Sequence, residues 1–172
     1  MSNRPSIHDY NPFYQTYIEK VPEGSIKDVL LAAYDTTSEL LASIPEERGD
    51  FKYAEGKWSI KEVIGHINDT ERVMSYRLLR VSRGDTTPLP GFEQEVFVAG
   101  ARFSEYTIQE LTEEYRVIRQ STLKLLSKLS DEELARRGNA SNSEVTALAL
   151  AYIIAGHELH HLNVLKERYF ID

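Results

Sequence analysis

The segment from Ser143 to Arg168 constrains the fold more than any other part of this sequence. In an α-helix successive side chains are rotated by about 100°, and on that basis the apolar residues of this segment cover nearly the whole circumference. One side carries Val145, Leu148, Ala149, Tyr152, Ala155 and Leu159, and much of the other carries Leu150, Ile153, Ile154 and Val164. A helix that is apolar nearly all round is buried by its neighbours. The segment therefore predicts a long helix inside a helical bundle.

Three other segments have the apolar spacing of amphipathic helices that can surround such a helix. Two of them start with a capping box, Ser59 with Glu62 and Thr107 with Glu110, which satisfies free backbone donors at a helix start. The predicted bounds are 25–43 for helix one, 59–83 for helix two, 107–129 for helix three and 143–168 for helix four, with a short helical turn at 130–133. No segment alternates for long enough to predict a convincing sheet. The predicted fold class is an all-α four-helix bundle.

The remaining segments are connections. Residues 1–24 lack a sustained period and predict an extended N-terminal arm. Residues 84–104 form a long loop between helices two and three, and a connection of that length often lines a site. The chain has 172 residues, the size of one ordinary domain. We therefore expect a single domain over residues 1–172, with residues 1–24 as its arm.

Composition excludes several classes of function. The 27 acidic residues outnumber the 20 basic ones, and the net charge of -7 argues against nucleic-acid binding. No apolar run reaches the length of about 20 residues that a membrane span needs. The absence of cysteine excludes disulfides, thiolate nucleophiles and cysteine-ligated metal sites. Because residues 1–10 do not resemble a secretory signal, we expect a cytoplasmic protein.

Four of the five histidines lie on two of the predicted helices. His157 and His161 are four residues apart, which places them about 6 Å apart on one helix face, where they can share a metal ion. Buried imidazoles need partners, and a divalent ion satisfies both of them. His66, about one turn into helix two, is the natural third ligand. His160 projects away from the pair and is expected only to pack nearby.

Two other interpretations of the histidine pair remain open. The pair can lie at the surface or form a hydrogen-bonded contact in the core without a metal. Residues 157–161 also match the H-E-x-x-H pattern of zinc peptidases, in which Glu158 would be the general base. That pattern normally takes a third ligand downstream, and none of the eleven residues after His161 is a histidine. A solvated or ion-paired Glu158 is therefore the better expectation.

Two acidic residues of helix two lie near its histidine in sequence. Glu71 falls on the apolar stripe of the helix, so its carboxylate faces the interior. It can act as a general base or accept a hydrogen bond from a ligand imidazole. Because it is rotated by about 140° from His66, a structural hydrogen bond to a neighbouring helix is the preferred interpretation. Asp69 lies nearer the face of His66, but we expect its carboxylate in solvent.

The run from Trp58 to His66, followed by Glu71 and much later by residues 156–161, resembles the DinB/YfiT-like family of metal-binding four-helix bundles. The similarity covers roughly residues 51–169 and includes the pattern W-S-x-x-E-V-x-x-H at a helix start. The resemblance implies an up-down-down-up topology and frequent homodimerisation. It also implies one divalent ion per chain, zinc or nickel, held by His66, His157 and His161.

The activity that the resemblance implies is less narrowly defined. Family members resemble metal-dependent hydrolases or thiol S-transferases that act on a small molecule, in the second case with a low-molecular-weight thiol. The implied function is therefore a metal-dependent enzyme of one of these two kinds. The alternative is a non-catalytic bundle in which the ion joins helix two to helix four.

Overall fold

Four long helices form the body of the protein, and short helices and one β-hairpin lie in the connections between them. The computed structural model describes residues 4–171; residues 1–3 and 172, which belong to the predicted arm and domain, lie outside the described part. The elements are α1 Gln15–Ile18, α2 Ile26–Ser43, α3 Ile60–Ser82, α4 Gln94–Ala101, α5 Ile108–Leu126, α6 Asp131–Ala135, β1 Arg137–Ala140, β2 Ser143–Thr146 and α7 Ala147–Tyr169. The long helices α2, α3, α5 and α7 correspond to the four predicted helices.

The contacts between the long helices define an up-down-down-up bundle. Helices α2 and α3 each pack against both α5 and α7. Helix α2 is antiparallel to α5, because Lys27 at its start reaches the carbonyl of Leu129 while Ala33 further along meets the Tyr115 hydroxyl. Helix α3 runs parallel to α5. It is antiparallel to α7, because His66 meets His157 while Trp58, just before α3, accepts a hydrogen bond from Tyr169 at the end of α7. The predicted fold class and topology are confirmed.

Helix α7 is the buried centre that its composition predicts. Every residue from Ala149 to Glu158 is buried, and the apolar ones join one core cluster. Leu162, Leu165 and Tyr169, further along α7, join a second core cluster. Both predicted capping boxes are present at the starts of α3 and α5. Local sequence signals therefore fix the starts of α3, which carries His66, and of α5, which packs beside it.

The start of helix four was predicted wrongly. Helix α7 begins at Ala147 rather than at Ser143, because β2 pairs with β1 in an antiparallel hairpin. The turn of this hairpin is formed by Ser141 and Asn142, which both have positive φ angles, 53° and 60°. A two-residue turn of that kind matches the twist of the paired strands. The hairpin is too short to show as an alternating pattern in the sequence.

Both segments predicted as irregular contain a helix that packs on the bundle. The N-terminal arm carries α1, which lies against α7, and the connection between α3 and α5 carries α4, which lies against α3. Neither helix has a strong apolar period, so the sequence did not reveal them. Across residues 4–171, every helix is too short or too polar to cross a membrane.

Candidate metal centre

Three imidazole rings meet between α3 and α7. His66 comes from α3, and His157 and His161 come from successive turns of α7. One ring nitrogen from each residue lies within 4.8 Å of the other two, and the Nε2 atoms of His66 and His157 are 2.9 Å apart. His66 and His157 are buried, and His161 is partly buried. The structure thus brings together the three histidines that the sequence analysis selected.

The spacing of the three nitrogens fits a single tetrahedral ion. Zinc–nitrogen bonds of about 2.0–2.1 Å in a tetrahedron separate two ligand nitrogens by about 3.3 Å. The Nε2 atoms of His66 and His157 are slightly closer than that, and none of the three separations exceeds 4.8 Å, so small side-chain rotations would complete the geometry. Within residues 4–171 the cluster contains these three donors and no carboxylate. An ion held here would keep a position open for water or substrate.

Two aromatic side chains enclose the histidine cluster. Trp58 lies over His66, with ring centroids 4.7 Å apart, and stacks against His161 at 6.5 Å. Tyr17, from α1, meets the ring of His157 edge-on at 5.5 Å. The sequence analysis named Trp58 only as the first residue of the run that ends at His66, and it gave Tyr17 no role. The sequence of the N-terminal arm contains no motif and no helical spacing of apolar residues that would have placed Tyr17 here.

Gly65 and Gly156 directly precede His66 and His157, and another segment of the chain packs closely against each glycine. A Cβ atom added at Gly65 would lie 2.3 Å from the ring of Phe103, which follows α4. A Cβ atom added at Gly156 would lie 2.1 Å from the carbonyl oxygen of Tyr17. Heavy atoms cannot approach so closely, so both contacts require the missing side chain. We call the space left by each missing side chain a docking notch. At 65–66 and at 156–157 such a notch is followed directly by a candidate metal ligand.

His160 lies beside the cluster but outside it. Its ring packs against Tyr17 at 5.3 Å and against His161 at 4.9 Å. It is half-buried and does not join the three-nitrogen group. This placement agrees with the prediction that His160 only packs nearby, and it makes His160 a suitable control residue.

An open pocket reaches the cluster from the side of His161. Its volume is about 390 Å³, and it lies between the start of α3, the end of α7 and α4. The lining includes Trp58, His160 and His161, with Lys57 and Glu95 as charged groups. Trp58 donates its ring N–H to Glu95, which joins α4 to the pocket wall. A small molecule can therefore approach the histidines from solvent.

Burial keeps the three imidazoles neutral. Burial, and the charge of His160 after it, lowers the pKa of His66 to about 4. Burial also lowers the pKa of His161 to about 3, with smaller contributions from His66 and His160. The fully enclosed His157 has a pKa well below its usual range for the same reasons. Neutral imidazoles with free lone pairs are the form that binds a metal ion.

The metal-free protein should lose stability as pH falls below 6.5. The unfolded chain protonates its histidines near pH 6.5, whereas the folded chain protonates His66 only near pH 4 and His161 only near pH 3. Between those values the unfolded state binds more protons, so the free energy of unfolding decreases with decreasing pH. Urea unfolding of chelator-treated protein between pH 7 and pH 4.5 measures this slope. In a His66→Gln, His161→Gln double variant the slope should be shallower, and an unchanged slope would contradict the prediction.

A buried ionic network lies next to the histidine cluster. The guanidinium of Arg119, on α5, donates to both carboxylate oxygens of Glu71 at 2.8 Å and to Glu158 at 2.5 Å. The second oxygen of Glu158 accepts from the Tyr115 hydroxyl at 2.7 Å. Arg119, Glu158 and Glu71 are only 0%, 1% and 4% exposed. We call these four residues the Arg119 network.

The Arg119 network settles two interpretations from the sequence. Glu71 makes the structural contact to a neighbouring helix that its position favoured. Both oxygens of Glu158 are engaged by α5, so this carboxylate is ion-paired and unavailable as the general base of a peptidase.

Asp69 is half-buried and lies 3.7 Å from Arg72, rather than being free in solvent as expected. The sequence analysis did not identify Arg119, although it falls four residues after the buried Tyr115.

Fold and site together define an up-down-down-up four-helix bundle with three clustered histidines between its second and fourth long helices. A family model of the DinB superfamily matches residues 30–165. The chain belongs to the DinB superfamily, as the resemblance in its sequence indicated.

Individual relatives agree with this assignment. The protein OB0413 of Oceanobacillus iheyensis, which is named provisionally as a metal-dependent hydrolase, is 26% identical over 130 residues, 74% of each chain. The structure of YfiT from Bacillus subtilis, described provisionally as a metal-dependent hydrolase with an unusual four-helix bundle topology, covers 99% of this chain and 95% of its own, with a TM-score of 0.66 and 14% identity. A mycothiol-dependent maleylpyruvate isomerase matches 85% of this chain with a TM-score of 0.63 and 12% identity. This chain spans 59% of the length of that isomerase. At 14% and 12% identity, the two structural matches show a shared fold.

Proposed function

We propose that this protein binds one divalent metal ion through His66, His157 and His161 and uses it to hydrolyse a small molecule. The observation that carries the proposal is the convergence of three imidazole nitrogens within 4.8 Å of one another, two of them from buried residues and one from the partly buried His161. Three neutral nitrogen donors suit zinc or nickel, the two ions we would test first.

The open side of the cluster supports a catalytic role over a purely structural one. Structural zinc sites are closed by four protein ligands, whereas catalytic sites have three and leave a position for water or substrate. Among residues 4–171 the cluster offers three ligands and lies beside a pocket of about 390 Å³. A non-catalytic ion that only joins α3 to α7 would be expected to have a fourth protein donor and would not need a pocket beside it.

The chemistry follows from this ligand set. A divalent ion bound by three imidazoles acts as a Lewis acid and makes a water nucleophilic near neutral pH. The protein's own contribution is to hold the imidazoles neutral and to fix their rings. Trp58 restrains His66 and His161, and Tyr17 restrains His157, by direct ring contacts. The same two side chains cover the cluster, leaving access through the pocket.

The relatives favour hydrolysis as the reaction class. OB0413 and YfiT are both named provisionally as metal-dependent hydrolases, and OB0413 matches about three quarters of this chain in sequence. The isomerase match keeps a second candidate, transfer or addition of a low-molecular-weight thiol, because an open metal position also binds a thiolate. A homodimer, which the sequence resemblance implies, remains a prediction that size-exclusion chromatography with light scattering would test.

Metal content is the first test of the proposal. Elemental mass spectrometry on untagged protein should find about one zinc or nickel ion per chain in the wild type. His66→Ala, His157→Ala and His161→Ala should each reduce the content to near zero, because two imidazoles bind far more weakly than three. His160→Ala is the matched control and should keep its ion, since its ring lies outside the cluster.

Two results would contradict the ligand assignment. One is a wild-type protein that stays metal-free after incubation with zinc or nickel. The other is loss of the ion in His160→Ala with retention in His66→Ala. If the ion is present, two assays on the same preparations distinguish the reaction classes. One measures hydrolysis of model esters and amides, and the other measures thiol conjugation. Activity should disappear with the ion and return when zinc or nickel is restored.

A further inference from the structure

An open groove lies between α3 and α5, with a volume of about 480 Å³. Its lining shares no residue with the pocket beside the histidines. Three of the lining side chains are apolar and strongly exposed: Tyr76 at 50% and Leu79 at 40% on α3, and Val117 at 67% on α5. The small residues Ser75 and Ser121 leave room between them. Exposed apolar side chains that are grouped in this way mark a protein contact site, whereas single ones need no explanation.

The outer face of α5, beside the groove, is acidic toward the start of the helix and basic toward its end. Four exposed charged residues on α5 and in the turn after it give this pattern: Glu110, Glu113, Lys124 and Lys128. Within the described structure, residues 108–128 form ion pairs only through Glu114 and Arg119. The four outer charges therefore have no ionic partner inside their own chain.

These acids and lysines are arranged symmetrically along the helix. The midpoint between Glu113 and Lys124 and the midpoint between Glu110 and Lys128 both fall within one residue of position 119. At about 100° per residue, Glu113 and Lys124 differ by only about 20° around the helix, so they lie on the same side of the exposed face. A two-fold axis at this midpoint would set α5 antiparallel to α5 of a second copy. Each glutamate would then lie opposite a lysine of the other chain.

The groove lies at the centre of the same arrangement. On α5, Val117 and Ser121 flank position 119. Arg72 of α3 pairs with Glu114 of α5 at 2.8 Å, so Tyr76, four residues further along the parallel helix, is level with residue 118. The two-fold axis would therefore bring the exposed apolar side chains together at its centre and place the charges around them. An apolar centre with a polar rim is the usual arrangement of a protein interface.

We propose that this groove and the charged face of α5 form a homodimer interface, in which α3 and α5 of two copies pack antiparallel about a two-fold axis near residue 119. The sequence resemblance implies a homodimer without indicating a surface, and this inference assigns the surface from the chain's own residues. A second copy fits better than a different protein, because only a symmetric contact requires acids and lysines placed symmetrically about one point. Both metal pockets stay open in this dimer, since they share no residue with the groove.

Charge reversal tests the pairing across the axis. Lys124→Glu places two glutamates opposite each other, and the axis repeats that contact, so the dissociation constant of the dimer should rise by about tenfold to hundredfold. Glu113→Lys should have the same effect through two opposed lysines. The double variant Glu113→Lys, Lys124→Glu restores opposite charges at the wild-type net charge and should return the constant to within about fivefold of the wild type. Lys166→Glu, at an exposed position of α7, is the control that changes the net charge as Lys124→Glu does.

Val117→Lys tests the apolar centre. It places an ammonium from each copy at the middle of the interface, where charged residues are depleted, and should leave the protein monomeric. The position is largely exposed on a helix, so the monomer should keep its fold, and its metal content should be unchanged because Val117 lies outside the histidine cluster. Leu31→Lys is the matched control, since Leu31 is a 56% exposed apolar residue on α2, away from the groove.

The experiment is sedimentation equilibrium of each full-length, untagged protein over a range of concentrations, with circular dichroism to confirm folding. A dimer that each single reversal weakens, the double reversal restores and Val117→Lys abolishes supports the proposal. A dimer that survives all of these substitutions would overturn the assigned surface and leave the homodimer standing. A double reversal as weak as the single ones would overturn the pairing about residue 119. A monomeric wild type would overturn the interface and the homodimer together, while the metal site, which is tested by metal content, would be unaffected.

Discussion

Replacing Arg119 with methionine should destabilise the protein by about 3–5 kcal/mol, the cost of leaving a buried charge without its partner. The substitution retains much of the side-chain volume but leaves Glu71 and Glu158 facing each other without a cation, in a region where both are almost fully buried. One carboxyl must then take up a proton or the helices must separate. Urea unfolding followed by circular dichroism at neutral pH measures the loss.

A matched control lies one turn earlier on the same helix. Arg116 is half-buried on α5, and Arg116→Met should change the free energy of unfolding by less than about 0.5 kcal/mol, as surface substitutions usually do. Adding Glu71→Gln and Glu158→Gln to Arg119→Met removes both unpaired charges and should restore much of the lost stability. If Arg119→Met were no more destabilising than Arg116→Met, the network would not hold the helices together as its geometry indicates.

The long helices were predictable because their signals are local. Apolar spacing and the capping boxes at Ser59 and Thr107 need no information from the rest of the chain, and the structure confirms both boxes. The hairpin before α7 was missed because each strand has four residues and its turn residues, Ser141 and Asn142, can also occupy an ordinary loop. Its pairing is decided by long-range contacts, including those of β1 with α3.

The histidine cluster was accessible from sequence for a similar reason. The spacing of His157 and His161 fixes their common face, and only the pairing of α3 with α7 had to be inferred. Tyr17 and Arg119 were missed because each acts across a large sequence separation. Tyr17 reaches α7 across 140 residues, the interval to His157, through the docking of an arm that shows no helical period. Arg119 has the spacing of a core residue, but a charge at such a position is not interpretable until its two acidic partners are known.

The docking of the N-terminal arm leads to the last prediction, which concerns Gly156. Gly156→Ala would place a methyl group 2.1 Å from the carbonyl oxygen of Tyr17, and backbone atoms cannot move away as a flexible side chain can. Alanine would favour the helix by about 1 kcal/mol over glycine, but overpacking against a fixed backbone costs about 1–3 kcal/mol and should prevail. The arm should then separate from α7, taking Tyr17 from the ring of His157 and exposing that imidazole to water. We expect a lower unfolding temperature, faster tryptic cleavage at Lys20 and weaker zinc binding.

Gly100→Ala separates these effects from the general consequence of adding a methyl group to a helix. Gly100 lies in α4, and an added Cβ would meet nothing within 4 Å, so this variant should be neutral or more stable by up to about 1 kcal/mol. If Gly156→Ala behaved like Gly100→Ala in all three measurements, the arm would not depend on the notch at Gly156. If cleavage at Lys20 accelerated while zinc affinity stayed constant, the arm would dock there without supporting the metal centre. If cleavage at Lys20 accelerated and zinc binding weakened together, the N-terminal arm, in which the sequence shows no helical period, would be a wall of the metal centre.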